Sequence, residues 1–317
     1  MPDYLPITLS SLRSDTIINC DVYLLVNMNS ASRYILYCKG DTVFENGKKE
    51  LLLRKNINRL FISRGDQQKY FEYLESNFQN LMSDEKIPPD ERAQIVHNAA
   101  TNLVKDLFTD PRTGNIERTR KFAYNMVDYV LKDSVASFNL LRIAKHEYYT
   151  YTHSVNAATI GTLFAKNLGL GEEVLRPLCA GTLLHDIGKI KISPAILNKT
   201  GRLTEEEFEK VKRHPELGIE ILKETGNGLK DEYIIILQHH ENCDGTGYPY
   251  GLKKNEIPSI GRIARIIDIY DALTTKRAYS YAQTPYDALR IIQNEMSGAV
   301  DRVLFKQFIR FLGGCGW

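Results

Sequence analysis

The chain has 317 residues, room for two domains of ordinary size, and its 43% hydrophobic and 25% charged residues are those of a globular protein. Its 41 Lys and Arg against 39 Asp and Glu leave a net charge of +2, which excludes the basic footprint needed to grip a nucleic-acid duplex. Five scattered cysteines (Cys20, Cys38, Cys179, Cys243, Cys315) indicate neither a disulfide framework nor a thiolate zinc site; with no segment reading as a signal peptide or membrane span, a cytoplasmic protein is expected.

The first eighty residues read as a small mixed domain. Asp21 to Asn27 and Arg33 to Cys38 are β-prone runs separated by the polar stretch Met28 to Ser32, which predicts a hairpin. Leu60 to Ile62 predicts another strand. Over Gln67 to Met82, Tyr70, Tyr73, Leu74, Phe78 and Leu81 recur at helical spacing. Ser83 to Asp90, with Pro88 and Pro89 adjacent, breaks the pattern. Everything after it reads as helix, beginning with Arg92 to Phe108, Ile116 to Lys132 and Ser134 to His146. Thr204 and Glu207 predict a capping box that opens a helix toward Lys212. The expected fold is mostly α: a small mixed α/β N-terminal domain over 1–83, regulatory in role, a helical connecting segment over 84–146, and an all-helical domain over 147–317.

Seven histidines occur, and five of them fall in the C-terminal half from His153 onward: His153, His185, His214, His239 and His240. In Thr182 to Lys189 an apolar run (Leu178, Ala180, Leu183, Leu184) leads into His185 and Asp186. An ionised aspartate against that much hydrocarbon costs several kcal/mol unless it is paired or metal-bound. Lys189, three residues past Asp186, shares its helical face and would either offer an ammonium to an anionic phosphate or stand as a surface lysine. His239 and His240 end a helix, where consecutive imidazoles can grasp one ion only across the helix end. Gly245 and Gly247 then permit a loop that carries Tyr248 and Pro249 beside the site. Asp268 and Asp271 interrupt an isoleucine-rich helix, where either metal ligation or salt bridges from Arg262, Arg265 or Arg277 would neutralise them. His214, before Pro215, reads as a ligand or a helix cap. The donors are all nitrogen and oxygen, which suits iron, manganese or zinc.

Taken in order, these segments resemble the HD-GYP family of metal phosphohydrolases. The likeness runs from about Glu147 to Phe311 and rests on Tyr-Thr-Tyr-Thr-His153-Ser, His185-Asp186-Ile-Gly-Lys189, His214-Pro215, His239-His240-Glu241, Asp244-Gly-Thr-Gly247-Tyr248-Pro249 and Asp268-Ile-Tyr-Asp271-Ala-Leu-Thr-Thr-Lys-Arg277. The resemblance implies an HD-type helical domain with a two- or three-metal centre, often iron. It implies hydrolysis of cyclic di-GMP to pGpG, and in some members to GMP, by a hydroxide activated between two ions. By position, His153, His185, Asp186 and Asp268 would hold one ion and His214, His239 and His240 the other, with Asp186 bridging. Lys189 would contact the scissile phosphate or assist proton transfer, and Tyr248 and Arg277 would meet bases and phosphates. Members with three metals carry Glu where Tyr149 stands, so two divalent ions are expected. Ser280 stands where a basic residue is usual. It motivates an alternative, a weak or inactive module that binds cyclic di-GMP or docks a diguanylate cyclase through the loop around Tyr248.

Overall fold

The structure, a computed structural model, describes residues 3–28, 31–132, 134–143, 150–225, 230–275 and 282–314. The chain divides into two compact units, Met1–Ile95 and Val96–Trp317.

The first unit is mixed α/β, with strands β1 (Tyr4–Thr8), β2 (Thr16–Ile17), β3 (Val22–Met28), β4 (Ala31–Cys38), β5 (Val43–Phe44) and β6 (Arg59–Ser63). Four of them form an antiparallel sheet in the order β1-β6-β3-β4, and β2 pairs with β5. The predicted hairpin is β3–β4, paired in one register from Tyr23↔Leu36 to Met28↔Ala31, with a shift between Val22 and Tyr23. Sequence reading missed β1 because Pro6 interrupts it; β1 lies at the sheet edge, where a missing N–H is tolerated. Helix α1 (Asn46–Arg54) was missed because its three consecutive leucines make no helical stripe: Leu52 is buried, Leu51 and Leu53 exposed. The helix predicted over Gln67 to Met82 is two, α2 (Gln67–Ser76) and α3 (Phe78–Ser83). The break falls at Asn77 (φ −103°, ψ 7°), whose side-chain amide and backbone N–H both donate to the Tyr73 carbonyl, at 2.9 and 3.1 Å.

Helix α4 (Pro89–Thr109) runs through the division between the units. The rest of the second unit comprises α5 (Thr113–Lys132), α6 (Ser134–Ile143), α7 (Thr150–Asn167), α8 (Glu172–Leu184), α9 (Pro194–Leu197), α10 (Glu205–Lys212), α11 (His214–Glu224), α12 (Lys230–Gln238), α13 (Ser259–Thr274), α14 (Pro285–Glu295) and α15 (Arg302–Gly314). Among the described residues α8 packs against α5, α7, α12 and α13. One buried cluster, including Leu184, Ile187, Ile219, Leu222 and Ile236, surrounds the His185–Asp186 dipeptide in sequence and ties α8 to α11 and α12. The capping box at Thr204 is formed in both directions. No described helix is long and apolar enough to cross a membrane, and Cys20, Cys38, Cys179 and Cys243 are free thiols.

A buried ion pair fastens α5 to α12. Arg120 donates through Nε and Nη2 to the two carboxylate oxygens of Glu232, each at 2.8 Å, and Glu232 is fully buried. Removing Arg120 takes a bidentate cation away from a fully buried carboxylate, so Arg120→Leu is expected to cost about 3–5 kcal/mol. A denaturant midpoint unchanged from the parent protein would refute this.

Candidate metal centre

Five stretches deliver the candidate ligand side chains, mostly at helix ends. His153 lies in the first turn of α7, a helix that begins at Thr150. Helix α8 stops at Leu184, His185 caps it, and Asp186 precedes a short 3-10 turn, Ile187–Lys191. Lys189 therefore reaches Asp186 from that turn and not along an α-helical face; its Nζ lies 2.6 Å from Asp186 Oδ2. His214 is the first residue of α11, one position past its N-cap Arg213, so it does not occupy the cap position. His239 and His240 directly follow α12, and Asp268 and Asp271 stand in α13.

These side chains converge. Ligand atoms of His214, His239 and His240 lie within 4.8 Å of one another, as do those of His153, His185 and Asp268. A third such group is His185, Asp186 and His239, which puts Asp186 between the other two. His153, His185, Asp186, His214, His239 and Asp268 are all buried.

The backbone fixes which imidazole nitrogens face inward. His185 Nδ1 lies 2.7 Å from the Thr182 carbonyl, His214 Nδ1 2.8 Å from Val211 O, and His239 Nδ1 2.9 Å from Ile236 O. A carbonyl only accepts, so each Nδ1 carries the proton and each Nε2 presents a lone pair. The Nε2 atoms of His214 and His239 sit 3.1 Å apart. Burial holds both rings neutral, His214 lowered to about 4 and His239 well below its ordinary value. Two lone pairs facing at that distance repel, and neither nitrogen has a proton to share. Asp186 Oδ1 is buried without a hydrogen-bond partner. A divalent cation satisfies both anomalies at once, and the residues present fit one.

Charge is distributed unevenly over the cluster. Burial opposes ionisation of Asp186, but the Lys189 ammonium beside it holds the carboxyl well below its usual range. Burial alone would lower His153; the hydrogen bonds it donates to the carboxylates of Asp268 and Asp271 outweigh it and push the group up to about 10. Without a bound ion His153 thus carries a proton on Nε2, which a metal taking that nitrogen as a ligand would displace. Below pH 10 uptake is expected to release one proton, so affinity should rise about tenfold per pH unit through neutrality. Calorimetric titration in buffers of different ionisation enthalpy measures that proton; zero release at pH 7 contradicts the assignment.

The surrounding shell holds the ligands in place. Asp271 accepts from His153 Nδ1 at 2.6 Å, a carboxylate–imidazole support of the kind that orients metal-binding histidines. Among the arginines weighed as salt-bridge partners, Arg265 lies 3.3 Å from Asp268 Oδ2 and grips Asn242 Oδ1 through Nε and Nη2 at 3.0 and 2.8 Å. Arg262 instead pairs with Asp301. Glu241, fully buried, accepts from the backbone N–H groups of Tyr250 and Leu252 at 2.7 and 2.8 Å, folding the following loop back on the cluster. Gly247 permits this, since a Cβ there would lie 2.2 Å from Asn242 N. Tyr248 then stacks on His240, ring centroids 4.6 Å apart and planes at 27°. The supporting roles of Asp271 and Glu241 were missed from sequence; the one available signal was that each is a charge placed beside a candidate ligand or in an apolar helix. Tyr149, Arg277 and Ser280 lie outside the described residues.

Comparison with known proteins places this geometry. A family model described as HD domain matches residues 138–304, just over half the chain. The chain is 34% identical over 225 residues to cyclic di-GMP phosphodiesterase PA4108 of Pseudomonas aeruginosa, covering 70% of this chain and 54% of that protein. It is 36% identical over 178 residues to 3'3'-cGAMP-specific phosphodiesterase 3 of Vibrio cholerae, covering 56% and 38%. The chain thus spans about half the length, or less, of these curated relatives. Bd1817, a HDG"Y"P protein from Bdellovibrio bacteriovorus, has a similar fold, with a TM-score of 0.68 over 98% of this chain and 100% of that one at 23% identity. A family match of this extent, on a chain whose motif series closes into one buried cluster, establishes kinship: the chain belongs to the HD domain family.

Proposed function

We propose that this chain is a metal-dependent phosphodiesterase acting on cyclic dinucleotides, with cyclic di-GMP as substrate and pGpG, or GMP after a second cleavage, as product. The observation that carries the reading is Asp186: a buried carboxylate with one orphaned oxygen, set between two groups of imidazoles. His153, His185, Asp186 and Asp268 would hold one divalent ion and His214, His239 and His240 the other, with iron the first choice and manganese or zinc next for an all-nitrogen-and-oxygen donor set. Two such ions would supply positive charge against the phosphodiester anion and activate water for its attack. Lys189, one-quarter exposed and paired with Asp186, would turn its ammonium to a phosphate oxygen when substrate arrives. Tyr248 would bound the substrate on the His240 side, and Arg277 would add a second cation. Residues 147–317 would carry the chemistry and 1–83 a regulatory module.

The names of the curated relatives, some acting on cyclic di-GMP and others on 3'3'-cGAMP, support the substrate class. The non-catalytic alternative rests on Ser280 and on Tyr248 as a docking loop. Tyr248 packing inward over His240 favours catalysis. The test is elemental analysis of anaerobically purified protein joined to a product assay with cyclic di-GMP, 3'3'-cGAMP and pGpG. About two ions per chain with accumulation of a linear product is expected; metal-loaded protein that cleaves none of the three refutes the reading.

A further inference from the structure

We propose that Phe208 is a nucleobase-stacking residue of this site, an extension that rests on the cyclic-dinucleotide reading above. Helix α10 buries none of its residues, and Phe208 is 45% exposed, so the ring is not held there by the core. What it does contact is the site. Phe208 stands edge-on to Tyr248, centroids 6.4 Å apart and planes at 80°. Tyr248 stacks on His240 and is itself edge-on to His214 at 6.4 Å. The rings therefore run in series from the ligand cluster outward: His240, Tyr248, Phe208.

Lys212, one turn further along α10, holds its ammonium 5.0 Å over the Phe208 ring and also pairs with Glu209 at 2.6 Å. A cation poised on an exposed aromatic face, one ring removed from a phosphate-cleaving centre, matches the two halves of a nucleotide. The π-face receives a base and the charge attracts the phosphate. In a cyclic dinucleotide each base hangs from a ribose that flanks the scissile phosphate, so a base must come to rest within one nucleotide of the metals. Phe208 offers a ring at that remove that is still 45% exposed with Lys212 over one face. Phe208 sits in the helix opened by the Thr204 capping box, whose firm cap fixes the ring's position without any need for core packing.

The test compares metal-loaded full-length chains carrying Phe208→Ala or Phe208→Trp with the parent. Loss of one stacked base is expected to raise KM for cyclic di-GMP about tenfold with a much smaller fall in kcat. Phe208→Trp should restore KM. The added indole's fluorescence, measured against the single native Trp, should be quenched by cyclic di-GMP and not by ribose 5-phosphate. A parental KM in Phe208→Ala, failure of Phe208→Trp to restore it, or equal quenching by the sugar phosphate overturns the assignment while leaving the phosphodiesterase standing. A parent protein that holds metal yet neither binds nor cleaves any cyclic dinucleotide removes the underlying reading, and this assignment with it.

Discussion

Asp186→Ala is expected to lower the metal content of both sites and to reduce phosphodiester hydrolysis by at least on the order of 10³-fold. The carboxylate lies within ligand range of His185 and His239, one from each of the other two groups, so its loss is expected to reach both. Asp186→Asn sharpens the test, because it keeps the shape but replaces one oxygen with an amide nitrogen that cannot ligate. Its loss should approach that of alanine if coordination is the role, and should be much smaller if Asp186 merely pairs with Lys189. A thermal melt of metal-free protein distinguishes loss of ligand from loss of fold, since the surrounding Leu184–Ile187–Ile219–Ile236 packing is untouched by the change. Full metal content and turnover in Asp186→Ala would end the binuclear proposal.

How much of this was legible in the sequence depends on the kind of residue. His185, Asp186, Asp268 and the histidine pair were readable because each violates a local rule: a charge or imidazole in a run that otherwise buries hydrocarbon. The convergence of those segments followed from resemblance, since nothing in the spacing of His153 and His214 says that they meet. The supporting residues were harder. Asp271 looks like a second ligand at i, i+3 from Asp268, yet it points to the far nitrogen of His153, 118 positions earlier in the chain, and no local pattern encodes such a pairing. In the first unit the strands with unbroken β-branched and aromatic runs were found. Those with a proline or only two residues, β1, β2 and β5, were not, because their pairing partners and not their own sequences define them.

The glycine of the His-Asp-Ile-Gly-Lys segment shows a constraint that sequence reading passed over. A Cβ on Gly188 would lie 1.9 Å from the carbonyl oxygen of His214 and 2.5 Å from the backbone nitrogen of Gly218. Both are backbone atoms of α11, so no rotamer can relieve the contact; the 3-10 turn and α11 must part by about 1 Å. The turn is contiguous with Asp186 and carries Lys189, and α11 begins with His214, whose Nε2 lies 3.4 Å from Asp186 Oδ1. Separating them moves a ligand of one group away from the carboxylate placed between the groups. Gly188→Ala is therefore expected to cost about 1–3 kcal/mol in stability and about 10²-fold in turnover, with metal lost first from the His214 side. Because alanine removes no ligand and no charge, the two effects should appear together, and a second substitution that shortens the opposing residue cannot rescue them, Gly218 having no side chain to give up. A Gly188→Ala protein with two tightly held ions and parental turnover would mean that the turn can shift without disturbing Asp186, and the close approach would then be a packing detail with no bearing on the metal centre.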